Sequence, residues 1–476
     1  MPVARITLLL VSAALALLVG PGAAHAQSGG GSQNQPNVVV MMTDDQDEAS
    51  MREMPILDDR MRDRGVTFRN FFATFPLCCP SRVSFLTGQY AHNHGIFGNM
   101  PPDGFEGFQE SDGETLPIWL RRAGYRTGFV GKYLNGYDET RRRYIPPGWD
   151  EWVAPVDQTA AHMFNYTLNE NGDFERYGDK TRDYQTDVYK RKAVRFIDQA
   201  PRADPFFLSV SPLAPHGEIH RKGKLPNPRP APRHEARFEG VPLPRGPSFN
   251  EFDVRDKPYF VKDRLSRDET AVLRERYQDR LASLLAVDDA VGGIIRELND
   301  VGELDDTLFI FTSDNGYLLG EHRLSEKHWL YEESVQVPTA MRGPGVAEGE
   351  TIDELAANID LAPTILDAAN AQSAGREVDG LSLMPLAREP GTRFDRDILL
   401  ENNLGSRAIR TERFMYAEHS MEDKLRDKEL YDLGDDPFQL QSLHDKPSSD
   451  DEQSNLASRL DALRDCHGTS GPEACR

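Results

Sequence analysis

Short, wholly apolar runs alternate with amphipathic stretches along most of this chain, and that alternation constrains its fold more than any other feature. Residues 37–42 (Asn-Val-Val-Val-Met-Met), 127–130, 206–210 (Phe-Phe-Leu-Ser-Val) and 308–312 (Leu-Phe-Ile-Phe-Thr) are brief and rich in β-branched and aromatic side chains. Runs of this kind predict strands buried on both faces. Between and beside them, residues 114–123, 187–199, 268–298 and 360–369 predict helices. Doubly buried strands with intervening helices predict an α/β fold, built on a large mixed, mostly parallel sheet flanked by helices. Near residue 395 the pattern changes. Short alternating runs at 408–410 and 414–417 predict a smaller C-terminal antiparallel α+β subdomain, with a last helix at 453–464 packed on it. The predicted boundaries are 37–390 for the first part and 391–476 for the second.

Residues 1–26 have the layout of a signal peptide: Arg5, an apolar stretch at 6–19, then Ala24-His25-Ala26 before Gln27. The apolar stretch is short for a membrane span, and no later segment qualifies as a transmembrane helix. Residues 27–36, rich in Gly, Ser and Gln, read as a flexible linker. The expectation is an exported bacterial protein, periplasmic or secreted. In an oxidising compartment Cys466 and Cys475, which bracket a Gly/Ser/Pro loop, suit a local disulfide. The balance of 55 basic against 77 acidic residues gives −22. A chain so charged is repelled by bare nucleic acid and anionic membrane, so neither is a predicted partner.

In open α/β sheets, ligands bind beyond the carboxyl ends of the strands. Asp44 and Asp45 follow the first apolar run, and Lys132 follows the second by way of Gly131. His216 follows the third after Ser211-Pro212-Leu213-Ala214-Pro215, and Asp314-Asn315-Gly316 follows the fourth. Each alone is an ordinary turn or cap; together they form a set. Asp44, Asp45, Asp314 and Asn315 offer hard oxygen donors that suit Ca²⁺ or Mg²⁺ rather than zinc. A cation also offsets the repulsion between adjacent acids. In the segment 78–88 (Cys-Cys-Pro-Ser-Arg-Val-Ser-Phe-Leu-Thr-Gly), Pro80 and Gly88 predict the start and stop of a short helix. Cys78 then lies at its N-terminus, where backbone N–H groups favour an anion. Arg82, four residues on, lies close enough to brace what Cys78 holds.

This segment carries a resemblance. Cys78-x-Pro80-Ser81-Arg82-x-x-x-Leu86-Thr87-Gly88 is similar to the signature of the sulfatase family, without a gap. The resemblance runs from about residue 36 to Glu429-Leu430-Tyr431-Asp432-Leu433 and implies an alkaline-phosphatase-like fold. It further implies that Cys78 is oxidised to formylglycine by a formylglycine-generating enzyme. The hydrated aldehyde would then attack the ester sulfur and expel sulfate through its second hydroxyl. The implied metal is calcium, with magnesium as second choice, held by Asp44, Asp45, Asp314, Asn315 and the modified Cys78. Arg82 would hold the diol, Lys132 and Lys327 would bind sulfate oxygens, and His216 would act as acid for the leaving oxygen. The substrate class is a sulfated carbohydrate or aryl sulfate.

One departure stands out. Many sulfatases carry Gly-Lys-Trp-His after the second strand; this chain has Gly131-Lys132-Tyr133-Leu134-Asn135, a form similar to the N-acetylglucosamine-6-sulfatase branch. Asn135 and, more weakly, His94 are candidates for the missing histidine's role. The basic stretch at 221–237 (Arg221, Lys222, Lys224, Arg229, Arg233, Arg237) reads either as a rim for an acidic glycan or as a solvated excursion. The rival functions are a phosphate or phosphonate monoester hydrolase on the same fold, and an inactive secreted binding protein whose Cys78 stays a thiol.

Overall fold

The computed structural model describes residue 1 and residues 35–140, 143–201, 204–218, 227–261, 263–421, 424–471 and 473–475. The predicted signal peptide and most of the linker lie outside them, as do Arg221, Lys222 and Lys224. Ten strands form the main sheet: β1 (Asn37–Thr43), β2 (Val66–Phe68), β3 (Arg126–Gly131), β4 (Glu151–Val156), β5 (Thr167–Glu170), β6 (Asp173–Arg176), β7 (Phe206–Ser211), β8 (Thr307–Ser313), β9 (Thr339–Arg342) and β10 (Glu350–Ile352). Their order is β10-β2-β9-β8-β1-β7-β3-β4-β5-β6. The five central strands, β8 through β4, pair in parallel. Antiparallel pairings appear toward both edges.

The apolar run of β1 explains why it lies at the centre. Val38, Val40 and Met42 enter the core on one face, and Val39 and Met41 the core on the other. Burying each such side chain stabilises the fold by about 1.5–3 kcal/mol. The first face is covered by α1 (Cys78–Thr87), α2 (Leu116–Arg122) and α5 (Leu361–Ala368). The second is covered by α3 (Gln185–Asp198) and the long α4 (Arg267–Asp300). A capping box starts α4: Ser266 Oγ accepts from Glu269 N–H at 3.2 Å, and the Glu269 carboxylate accepts from Ser266 N–H at 2.8 Å.

The C-terminal sheet is antiparallel throughout: β11 (Ile398–Glu401), β12 (Ser406–Arg410), β13 (Phe414–Met421) and β14 (Lys424–Asp432), in that order. Leu456, Leu460 and Leu463 of α6 (Asp450–Arg464) pack on it, and Phe72, Tyr90 and Leu330 of the preceding region complete that core. Cys466 and Cys475 form a disulfide. Among the described residues, no helix is long and apolar enough to cross a membrane.

Candidate active site

The four central strands β8, β1, β7 and β3 end side by side, so the polar residues that follow them meet at one place. Two glycines make the approach possible. Gly131 has φ 127°, and a Cβ there would sit 2.1 Å from the Ser211 carbonyl oxygen. Gly88, at φ 69°, ends α1 in a left-handed cap. Backbone links bind the strand ends together: Asp314 N–H donates to the Thr43 carbonyl at 3.1 Å, and Lys132 N–H to the Ser211 carbonyl at 2.9 Å.

Cys78 opens α1 and is buried. Lys327 Nζ lies 2.8 Å and Lys132 Nζ 3.5 Å from its Sγ, which lies 3.4 Å from Asp44 Oδ1. Asp45 N–H donates to Asp314 Oδ1 at 3.0 Å, and Asn315 Nδ2 to Asp45 Oδ1 at 2.7 Å. Lys132 pairs with Asp44 and Lys327 with Asp45. His216 Nε2 stands 3.7 Å from Asp45 Oδ2, while its Nδ1 donates to the Gly217 carbonyl at 2.7 Å. Each predicted site residue therefore falls in one cluster. Arg82 makes its contacts with the carboxylates: Nε to Asp314 Oδ2 at 2.8 Å, one terminal nitrogen 3.3 Å from Asp44 Oδ2, and the other donating to the Lys132 carbonyl at 2.7 Å.

Burial drives the acids toward their neutral forms and the bases toward theirs, and the neighbours decide each outcome. Burial raises Asp44, yet Lys132, His216, Arg82 and Lys327 outweigh it and hold the carboxyl below the usual range. Asp45 is likewise lowered, Lys327 and His216 overcoming burial and Asp44. Asp314 goes the other way, raised by burial and by Asp44 despite Arg82. The Cys78 thiol is pushed up to about 12, chiefly by burial and then by Asp44, against the two lysines. His216 is lowered because burial outweighs its acidic neighbours.

The donor set fits a hard cation. Three carboxylates and an amide converge with their like charges adjacent, and the buried Oδ1 of Asn315 has no hydrogen-bond partner among the described residues. Asp44, Asp45, Cys78 and His216 also lie close enough to share one ion. An Asn oxygen left unpaired in a buried site is costly, and a bound Ca²⁺ or Mg²⁺ removes that cost.

Some of the supporting residues carry no signal in the sequence. Arg280 of α4, buried, donates to the Asp45 carbonyl at 2.5 Å and to Asp47 Oδ2 at 3.0 Å, and stacks 4.0 Å over the Tyr317 ring. Ser81 Oγ donates to the Asp314 carbonyl and accepts from Asn358 Nδ2 at 2.9 Å. A single arginine inside a helical pattern gives no hint of such a role, whereas Ser81 lies within the 78–88 motif. The opposite holds for two other expectations. His94 is engaged on both ring nitrogens, by Ser84 Oγ and by Ile96 N–H, each at 3.1 Å, and so braces α1 from behind. In the basic stretch, Arg233 is tied to Asp187 and Asp289, and Arg229 lies 4.3 Å over the Phe164 ring. Those two arginines hold the loop to the body, which corrects the reading of a glycan rim for that part of the stretch.

Comparison with known proteins agrees with this geometry. The sulfatase family model matches residues 36–371. A human N-acetylglucosamine-6-sulfatase is 35% identical over 82% of this chain and 71% of its own length. The chain belongs to the sulfatase family. It has the family's alkaline-phosphatase-like fold and is a sulfuric ester hydrolase. Residues 320–466 also match the C-terminal model of N-sulphoglucosamine sulphohydrolase. A structure solved in complex with its substrate D-glucosamine-2-N,6-O-disulfate aligns at TM-score 0.73 and 26% identity, covering 90% of this chain and 97% of that one. A phosphonate monoester hydrolase from Silicibacter pomeroyi aligns at TM-score 0.65 and 21% identity, over 90% of this chain and 95% of that one, and so shares the fold.

Proposed function

We propose that this sulfatase is an exported, formylglycine- and calcium-dependent enzyme acting on 6-sulfated glucosamine-type sugars. The observation that carries the chemistry is the position of Cys78 Sγ, within 3.5 Å of two lysines and Asp44 at the start of α1. Converted to formylglycine, Cys78 would supply a hydrated aldehyde as nucleophile, and maturation would need a formylglycine-generating enzyme. Asp44, Asp45, Asp314, Asn315 and the modified Cys78 would hold Ca²⁺, with Mg²⁺ the second choice; it would supply Lewis-acid polarisation of a sulfate oxygen.

The remaining work belongs to the chain's own side chains. Lys132 and Lys327 flank Cys78 Sγ and would bind the equatorial sulfate oxygens, balancing charge as the S–O bond breaks. Arg82 fixes Asp44 and Asp314 and so keeps two acids aimed at one point. His216 has Nδ1–H tied to the Gly217 carbonyl, so Nε2 is the nitrogen that faces the cluster and, in the doubly protonated ring, would pass its proton to the leaving oxygen. Beyond Lys132 and His216 opens a pocket of about 360 Å³, bordered by Asn135, Asp138, Asp157 and His162. That volume suits a monosaccharide. The resemblance to a 6-sulfatase and to a glucosamine disulfate complex supports the same substrate class. Export is supported by the signal-like residues 1–26 and by the Cys466–Cys475 disulfide.

Two measurements test this reading. Peptide mass analysis of protein from its native host should show formylglycine at position 78, and an unmodified thiol would overturn it. The matured enzyme should favour aryl sulfate over aryl phosphate in kcat/KM; a phosphate preference would favour the rival chemistry, since a phosphate monoester brings more negative charge to the same cations.

A further inference from the structure

We propose that the outer face of α3 carries an exosite for a sulfated polysaccharide chain, apart from the catalytic pocket. A groove of about 440 Å³ runs between β6, residues 181–183 and α3, and is bordered by Arg176, Arg182, Arg191, Lys192 and Arg195 against two acids, Glu175 and Asp183. Five cations on one concave surface are out of character in a chain of net charge −22.

Structural pairing accounts for only part of this set. Lys192 pairs with Glu170 at 2.5 Å, and Arg182 lies 3.8 Å from Asp183. Arg176, Arg191 and Arg195 are exposed, and none has a carboxylate within 4.0 Å among the described residues. Arg191 donates to the Arg182 carbonyl at 2.7 Å and Arg195 to Gln199 Oε1 at 3.4 Å, so both guanidinium groups are steadied by neutral oxygens. Arg176, Arg191 and Arg195 line one groove without an ion pair of their own among the described residues, and a ligand anion would pair with them. Farther along α3 a second groove, of about 630 Å³, shares Arg191 and Arg195 and adds Lys190 and Arg296, but Asp198, Glu297 and Asp300 oppose them there. The cationic character is therefore strongest where α3 faces β6 and residues 181–183.

The N-terminus of α3 lies on the catalytic side. α3 leads into β7 through a short connection and so runs antiparallel to it, which puts the helix N-terminus at the strand ends where Cys78 and His216 lie. Gln185, the first residue of α3, donates through Nε2 to the carbonyls of Ala160 at 3.4 Å and His162 at 2.8 Å. Both residues border the catalytic pocket. Residues 181–183 of the groove immediately precede that N-terminus, so a polymer lying in the groove would lead toward the site. Arginine forks match the paired oxygens of a sulfate group, and spaced sulfates suit a small patch on an otherwise acidic surface. The identity of the polymer rests on the proposed sulfatase substrate class; the anion-binding groove does not.

The test measures binding, not turnover. Wild type and the variant R176Q/R191Q/R195Q are compared for affinity to heparin, hyaluronan and duplex DNA at one salt concentration, with aryl sulfate hydrolysis as control. The expected result is about tenfold weaker heparin binding in the variant, with aryl sulfate kinetics unchanged. The single variants R191Q and R195Q, each weakening heparin binding about two- to threefold, carry the test if the triple variant is less stable. Unchanged heparin affinity in the variants would overturn the proposal, and so would wild-type binding to hyaluronan or DNA as tight as to heparin. Absence of aryl sulfate hydrolysis in both proteins, with heparin binding still lost in the variant, would sink the proposed function and leave the exosite standing.

Discussion

Two buried charge clusters in this molecule are built from similar residues and differ in how they are closed. In the C-terminal sheet, Glu429 accepts from Tyr331 Oη at 2.8 Å, from Tyr431 Oη, and from His419 Nε2 at 2.7 Å. The other nitrogen of His419 meets Ser406 Oγ at 2.9 Å. Glu429 thus has three donors and His419 both its partners. At the strand ends, by contrast, three acids crowd together, the Asn315 oxygen is orphaned, and both lysines lean on the reacting atom as well as on the carboxylates. A buried network that satisfies itself is structural; one that leaves acceptors unmet is waiting for a ligand.

The largest effect should follow from removing the orphan. Asn315→Leu keeps the volume and deletes the amide oxygen, so kcat/KM should fall about 10²–10³-fold. Added Ca²⁺ should raise the melting temperature of wild type and leave that of the variant unmoved, because ligation to the folded state alone is stabilising. Asn315→Asp, which restores an oxygen, should regain most of the calcium response. A variant that keeps both activity and the calcium response would erase the distinction between the two clusters.

Glu429→Gln should show the reverse pattern. Taking the charge from a closed, buried network is expected to cost about 3 kcal/mol of stability, read from urea denaturation. The folded fraction should keep its kcat/KM within about threefold, since distant sites act independently. A large loss of activity at unchanged stability would mean that this network takes part in the chemistry, through Tyr331 and the Lys327 segment.

The same contrast explains what was legible in the sequence. Interior strands announce themselves because both faces are apolar: β1, β3, β7 and β8 match the predicted runs to within a residue at each end. Edge strands such as β6, with only Phe174 partly buried, carry no such pattern and were not foreseen. Motif residues at strand ends and in α1 could be read because their spacing follows the local element. Arg280 could not, because its role depends on how a helix more than 200 residues away in sequence packs against Asp45 and Asp47. Likewise the groove on α3 arises from β6 and residues 181–183 folding toward the helix. In the basic stretch at 221–237 the cations cluster along the sequence, yet Arg229 and Arg233 are tied down.

His94 is buried like His216 but closed like Glu429. Its Nδ1 accepts from Ile96 N–H, so the ring proton sits on Nε2 and points to Ser84 Oγ. A second proton on Nδ1 would face another N–H, and burial, with Arg376 and His92 nearby, already lowers the group to about 3. In the unfolded chain the ring titrates near 6.5. A group whose folded pKa is depressed gives stability that is full above the unfolded value and is lost as pH falls toward the folded one. Between pH 6.5 and 5, above the main range of the carboxylates, the loss due to His94 should be about 2 kcal/mol. His94→Gln retains a donor for Ser84 without a titrating ring, so its urea stability should decline by that much less across the same window. Equal declines in the two proteins would mean that the ring accepts a proton in the folded state, and that α1 tolerates a charge directly behind Cys78.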